Sequence, residues 1–194
     1  MLDIAVAGGI TEIAATPHYR GRWKNWDLVR QNYEELLPEA EKRGVALTLG
    51  AEFYCEEFDR DHIDRYVKEL SLNGGHEILF ELGWFSQVSE IEDSIYMLQR
   101  AGLSVLIPHP ERNRQIQRSR RVAQRYLDIC CEFVLSSSSL ALAPLSVIRR
   151  AAMRECKRGN YAFVASDAHS PQEYEQHIQI LTSHSFLEYN LRKE

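Results

Sequence analysis

Short apolar runs recur along the chain at fairly regular intervals. Within each run most positions are hydrophobic, instead of alternating with polar ones, which is typical of parallel strands that are covered on both faces. Polar or glycine-containing segments bound each run, so each is predicted to be a β-strand. The six runs are TEIAAT (11–16), ALTLGAE (46–52), EILFEL (77–82), SVLIPH (104–109), EFVLSS (132–137) and YAFVASD (161–167).

The segments between these runs show helical periodicity. Gly102 and Gly159 follow the last periodic residues of two such segments, where a left-handed C-cap is expected. Pro38 is expected to kink the first long helix or to split off its last turn. Strand and helix therefore alternate, which predicts a parallel sheet with crossover helices. The two clearest helical faces are Val29, Tyr33, Leu36 and Ala40, and Val88, Ile91, Ile95 and Leu98.

The architecture of the sheet is either an open doubly wound sheet or a closed barrel. No strand is followed by GxGxxG or GxxxxGK[ST], so a nucleotide-binding fold is disfavoured and a TIM-like barrel is favoured. The chain has 194 residues and no linker or low-complexity tract, which predicts one domain spanning 1–194.

Composition excludes several classes of protein. Lys and Arg number 23 and Asp and Glu 28, a net charge of -5 that disfavours nucleic-acid binding. No apolar run is long enough for membrane insertion, and MLDIAVAGGI lacks the features of a signal peptide. These observations predict a cytoplasmic protein.

The four cysteines form neither a CxxC pair nor a C-x5-R loop. A zinc ribbon and a cysteine-dependent phosphatase are therefore disfavoured, and the cysteines are expected to be core thiols.

Chemically capable side chains occur at the ends of most predicted strands. In parallel β/α folds these ends carry the active residues. Imidazole and carboxylate are the usual protein ligands of zinc, manganese and iron, and paired cations can activate water and bind a phosphoryl group. Ordinary polar loop residues are the alternative for any single position. The strand-end residues are His18, Glu52, Glu81, His109, Asp167 and His169.

Arginine is concentrated after the fourth predicted strand. Arg112 could bind a phosphate oxygen through its planar guanidinium, or it could be a surface arginine. Between Glu111 and Asp128 there are six arginines and no acid. This stretch is either a solvated helix face or a local positive field that attracts an anionic substrate.

At TPH (16–18), AEFY (51–54), HPER (109–112) and ASDAH (165–169) the sequence resembles the PHP (polymerase and histidinol phosphatase) superfamily. Within it, the chain is most similar to the bacterial manganese-dependent protein-tyrosine phosphatases encoded with capsule and exopolysaccharide genes. The resemblance implies a distorted (β/α)7 barrel with three metal ions at its C-terminal rim. Manganese is the expected metal, with iron or zinc as alternatives. The implied substrate is a phosphotyrosine-containing protein, a bacterial tyrosine kinase that regulates polysaccharide export.

The resemblance also implies roles for individual residues. It makes Arg112 a phosphate-binding residue, and Glu81 sits where a carboxyl group would help to protonate the leaving tyrosyl oxygen. The implied metal ligands are His18, Glu52, His109, Asp167 and His169.

Two departures from the family pattern qualify these expectations. The family begins with a strand carrying His-x-His, which this chain lacks, so about six strands and an incomplete metal position are expected. Ser170-Pro171-Gln172-Glu173 replaces a Gly-Arg-Pro context after the Asp-x-His motif. The alternatives are a PHP phosphatase of a small metabolite such as histidinol phosphate, and an inactive truncated or degenerate member.

Overall fold

A computed structural model describes residues 1–19, 26–57, 70–84 and 86–181. The chain divides into two compact units. The N-terminal unit is Leu2–Val105, and the C-terminal unit is Leu106–Glu194 together with Met1. The prediction of a single domain stays a prediction.

The N-terminal unit begins with a short helix that ends just before Gly8 and Gly9. Its helices and strands are α1 (Leu2–Ala7), β1 (Glu12–Ala15), β2 (His18–Tyr19), α2 (Trp26–Glu41), β3 (Ala46–Leu49), β4 (Glu52–Tyr54), β5 (Glu77–Glu81) and α3 (Val88–Arg100), with short 3-10 turns at Cys55–Glu57 and Leu72–Gly74.

The strands of the N-terminal unit are parallel. Strand β1 pairs with β3, and β2, β4 and β5 follow one another in that order. The predicted strand at 46–52 is divided, because Gly50 and Ala51 separate β3 from β4. Pro17, which has no backbone N–H to donate, lies between β1 and β2. The register places His18 opposite Glu52.

The C-terminal unit contains the remaining strands, with its boundary falling inside the first of them. Strands β6, β7 and β8 are parallel and adjacent in that order. The elements are β6 (Ser104–Pro108), α4 (Arg114–Arg118), α5 (Arg120–Asp128), β7 (Glu132–Ser136), α6 (Ser138–Ala141), α7 (Val147–Lys157), β8 (Tyr161–Ala165) and α8 (Pro171–Leu181), with a 3-10 turn at Pro110–Arg112.

Each unit has its own buried side chains, and the six predicted strand runs all contain strands. In α3 the predicted face is confirmed, since Ile91, Ile95 and Leu98 are buried. In α2 the prediction for Leu36 is wrong: it is exposed, and Leu37 packs against the buried Ala40, Val45 and Leu47 instead.

Other helix features follow from local chemistry. Helix α2 continues through Pro38 to Glu41, so the last turn is not split off. Gly102 and Gly159 adopt φ values of 87° and 66°, the left-handed geometry predicted for a helix stop. None of the helices in the described ranges combines the length and apolarity needed to cross a membrane.

Candidate active site

Three adjacent strands of the N-terminal unit bring one imidazole and two carboxylates together. His18 lies on β2, Glu52 opens β4 and Glu81 ends β5, and each offers an atom within 4.8 Å of the others. The Nδ1 atom of His18 is 3.3 Å from Oε2 of Glu52. Glu52 is only 5% exposed, and a carboxylate this buried requires a compensating positive charge or hydrogen bonds. We name this set the His18 group.

The donor set of the His18 group fits a divalent cation. Imidazole nitrogen and carboxylate oxygen suit manganese, iron and zinc alike, so the set indicates a divalent metal without selecting one. The parallel register explains the geometry, because neighbouring strands lie about 4.8 Å apart and direct opposing side chains to the same face. Strand pairing alone therefore places His18 beside Glu52.

Two strand-end residues of the C-terminal unit are also close together. His109 follows β6 and Asp167 follows β8, and their ligand atoms lie within 4.8 Å of one another. Both adopt left-handed backbone angles, with φ of 35° at His109 and 51° at Asp167. Such angles cost energy in residues other than glycine and cluster at functional sites.

Arg112 contacts Asp167 through one end of its guanidinium. Its Nη2 atom is 2.7 Å from Oδ2 of Asp167 and donates to the hydroxyls of Ser136 and Ser138, each at 3.0 Å. The Ser136 hydroxyl also donates to Oδ2 of Asp167, at 3.3 Å. We name His109, Arg112, Ser136, Ser138 and Asp167 the Arg112 group.

The two serines were missed as site residues by the sequence analysis. Their signal was the serine run at the end of a predicted strand, which is the same position that identified the other site residues. Serine has no ligand preference strong enough to mark it alone, so only the neighbouring guanidinium reveals its role.

Glu111 supports the turn that carries Arg112. It is fully buried, Oε2 accepts from the Tyr161 hydroxyl at 2.9 Å, and Oε1 accepts from the backbone N–H of Ser136 at 3.2 Å. Burial raises the pKa of the Glu111 carboxyl. These bonds connect the Pro110–Arg112 turn to β7 and β8.

His169 lies outside the His18 group, and it is not among the contacts that define the Arg112 group. Its ring Nδ1 is 3.1 Å from the backbone carbonyl of Asp167, and its backbone N–H donates to Glu173 at 2.8 Å. Its predicted role as a metal ligand stays a prediction.

Parallel strands that alternate with helices and carry grouped imidazole and carboxylate side chains define an α/β protein with a candidate metal centre. The chain belongs to the CpsB/CapC family of capsular polysaccharide synthesis, whose sequence model matches residues 1–189. This confirms the resemblance noted from the sequence and the α/β class with parallel strands, while closure into a barrel stays a prediction.

Individual relatives agree with this assignment. The chain is 31% identical over 184 residues to the tyrosine-protein phosphatase YwqE of Bacillus subtilis, covering 92% of this chain and 72% of that protein. It is 28% identical over 185 residues to CapC of Staphylococcus aureus, covering 88% of this chain and 68% of that protein.

A solved structure shares the fold. It comes from work on YwqE from Bacillus subtilis and CpsB from Streptococcus pneumoniae, which are described as metal-dependent tyrosine phosphatases. The TM-score is 0.78 at 26% identity, over 98% of this chain and 80% of the solved one.

Proposed function

We propose that the protein is a metal-dependent phosphomonoesterase that removes phosphate from tyrosine in a protein concerned with capsule or exopolysaccharide synthesis. The observation that carries the proposal is the His18 group, a metal-ligand set on three adjacent strands in a member of the CpsB/CapC family. The names of the relatives support phosphotyrosine over a small metabolite as the substrate.

The metal ligands in this proposal come from both groups of residues. His18 and Glu52 hold a cation in the N-terminal unit, and His109, Asp167 and His169 serve as ligands in the C-terminal unit. A bound divalent cation would lower the pKa of water and offset negative charge on phosphoryl oxygens. Manganese is proposed, with iron or zinc as alternatives that the same donor atoms accept.

Arg112 binds the phosphoryl group in this proposal. Its Nη2 atom is held by Asp167 and two serines, whereas Nε and Nη1 make no hydrogen bond to any of the described residues. Nη2 is thus fixed, and the Nε–H and Nη1 donors, which lie on different sides of the guanidinium, stay available to phosphoryl oxygens. A guanidinium held in place in advance stabilises the charge of the transition state without reorganising.

Glu81 is the proposed proton donor to the tyrosyl oxygen that leaves. It ends β5 and lies within 4.8 Å of the His18 and Glu52 ligand atoms, so it borders the proposed reaction centre. Protonation of a poor leaving group by a positioned carboxyl group contributes about 10² to 10⁴ in rate.

The proposed partner is a phosphotyrosine-containing protein, a bacterial tyrosine kinase that regulates polysaccharide synthesis, in the cytoplasm. The acidic net charge of -5 disfavours nucleic acid as a partner. The family match covers residues 1–189, which supports one phosphoesterase domain over the chain.

The test is hydrolysis of a phosphotyrosine peptide by the metal-stripped protein after manganese is restored. We expect turnover that EDTA abolishes and that the double variant His109→Ala, Asp167→Ala lacks. His76→Ala removes an exposed histidine outside both groups and serves as the control that keeps full activity. Activity no higher than that of the double variant would overturn the proposal, and faster turnover of histidinol phosphate would favour the metabolite alternative.

A further inference from the structure

A cleft of about 630 Å³ in the C-terminal unit is surrounded by cations. None of the residues of the Arg112 group lines it, and no acidic side chain does so. The cations come from the start of α5 and from both ends of α7, so two separate stretches of sequence converge here. They are Arg120, Arg149, Arg150, Arg154, Lys157 and Arg158.

The rest of the lining is apolar. Met153 and Pro144 complete the cleft between the charged side chains, whose aliphatic stems add further apolar surface. Leu145, next to Pro144, is 85% exposed, and Leu142 is exposed as well. A ligand that fits this surface carries negative charge around an apolar side chain.

Three of the cations already have partners within the protein, and one of them, Arg149, donates from Nη1 to the carbonyl of Leu142 at 3.2 Å. Arg154 points inward, where its Nε atom donates to Glu155 at 2.6 Å and its Nη2 atom donates to the carbonyl of Ile116 at 2.7 Å. Arg158 donates to Gln124 and lies 3.8 Å from the second Glu155 oxygen. Glu155 is fully buried, and Arg154 and Arg158 compensate its negative charge.

Three other cations have no such compensation. The side chains of Arg120, Arg150 and Lys157 are exposed and make no hydrogen bond or ion pair within the described part of the chain. Arg120 and Arg150 lie in the first turns of α5 and α7, where the helix dipole disfavours positive charge. Helix stability therefore does not explain their positions.

The positive charge is local and runs against the charge of the chain as a whole. Residues 106–181 contain eleven Lys and Arg against seven Asp and Glu, whereas the whole chain has 23 against 28. Cations gathered around a concave surface raise the local concentration of anions.

We propose that this cleft binds an acidic peptide segment of a partner protein, with an apolar side chain seated between Pro144 and Met153. The concave shape suits an extended peptide better than a flat bilayer. The apolar floor suits a peptide better than an inorganic anion, which gains nothing from burying such surface. This site is independent of the metal chemistry proposed above.

The test measures binding of a fluorescent peptide of alternating Glu and Leu to the full-length protein by fluorescence anisotropy. We expect saturable binding that weakens about tenfold in the double variant Arg150→Glu, Lys157→Glu. The matched control is Arg118→Glu, Arg121→Glu, which makes the same charge change at exposed arginines outside the cleft lining. The control should bind within about twofold of the unaltered protein.

Two further measurements test whether binding occurs in the cleft and whether the peptide is the preferred ligand. Bound peptide should protect Lys157 from acetylation but leave the exposed Lys42 reactive, which needs no variant. Equal weakening by both double variants would mean only diffuse charge attraction and would overturn the proposal. Cleft-dependent binding to phosphatidylserine vesicles without binding to the peptide would overturn it in favour of a membrane surface.

Discussion

Arg112 is held so that only part of its guanidinium is in use. Its Nη2 atom contacts the negatively charged carboxylate of Asp167 and donates to the neutral hydroxyls of Ser136 and Ser138. A guanidinium with a single carboxylate partner can pivot around it, and the two hydroxyls limit that motion. The serines are therefore positioning residues for the proposed phosphate ligand.

Ser138→Ala tests this positioning. Losing one hydrogen bond to a charged group should reduce kcat/KM for a phosphotyrosine peptide by about tenfold, which corresponds to about 1.4 kcal/mol. The loss should include a lower kcat, because the proposed role of Arg112 is to stabilise the charge of the transition state. Ser104→Ala, at an exposed serine outside both groups, should leave kcat/KM unchanged. Unchanged kinetics in Ser138→Ala would show that the serine does not position Arg112.

Glu81→Gln separates a proton donor from a metal ligand. The amide keeps an oxygen for the metal but does not supply the proton, so phosphotyrosine hydrolysis should fall by about 10² or more. Dinitrophenyl phosphate has a leaving group that departs without protonation and should be hydrolysed at nearly the original rate. Equal losses on both substrates would contradict the assignment and point to a ligand role.

The thiols offer a prediction that is independent of the catalytic proposal. Burial raises the pKa of Cys131 and of Cys156 to about 12, so both stay protonated well above neutral pH. Cys130 is exposed, contrary to the expectation of core thiols. Iodoacetamide should modify Cys130 in the native protein and spare the other two until denaturant is added, as read by mass spectrometry. Cys130→Ser should abolish the native reaction, and rapid labelling of Cys131 or Cys156 would contradict the prediction.

At the scale of helices and strands, apolar runs predicted where strands lie but not where they break. The run at 46–52 is divided into β3 and β4 at Gly50 and Ala51. Any larger residue at position 50 would place its Cβ 2.7 Å from the Leu72 side chain. No pattern in the run itself encodes that close approach. Similarly, Leu36 and Leu37 are both compatible with a helical face that includes Tyr33, and only packing against Val45 and Leu47 selects Leu37.

Arg154 connects two helices of the C-terminal unit, and Arg154→Leu tests that connection. The substitution leaves the fully buried Glu155 without its main cation and removes donors to the carbonyls of Ile116 and Gln117 at the end of α4. We expect a loss of about 3 kcal/mol in the free energy of unfolding, measured by urea titration. Arg150→Leu, one turn away and exposed, should change it by less than about 0.5 kcal/mol. Equal effects of the two substitutions would contradict a specific connection.

At the scale of the whole molecule, the division into two units was not foreseen, because no linker or low-complexity tract marks it. Charge does mark it: residues 1–105 contain ten Lys and Arg against nineteen Asp and Glu, and the excess reverses in residues 106–181. That His109 and Asp167 lie close together was predictable, because both follow the ends of parallel strands. Their partners were not, since the pairing of Arg112 with Asp167 depends on backbone turns that only the fold defines.

Metal binding should be visible in the stability of the whole molecule. A cation that binds only the folded chain stabilises it by about 2.7 kcal/mol when present at a hundred times its dissociation constant. For a protein of this size we expect manganese to raise Tm by about 5 to 10 °C, measured by differential scanning fluorimetry.

Substitutions in the His18 group test whether its side chains cause that rise in Tm. EDTA should reverse it, His18→Ala and Glu52→Gln should each reduce it, and His76→Ala should retain it in full. Since ligand atoms must be deprotonated to bind a cation, the shift should also shrink as the pH falls below neutrality. A Tm that is the same with manganese and with EDTA would show that the His18 group binds no cation in this chain, whatever its activity toward phosphotyrosine.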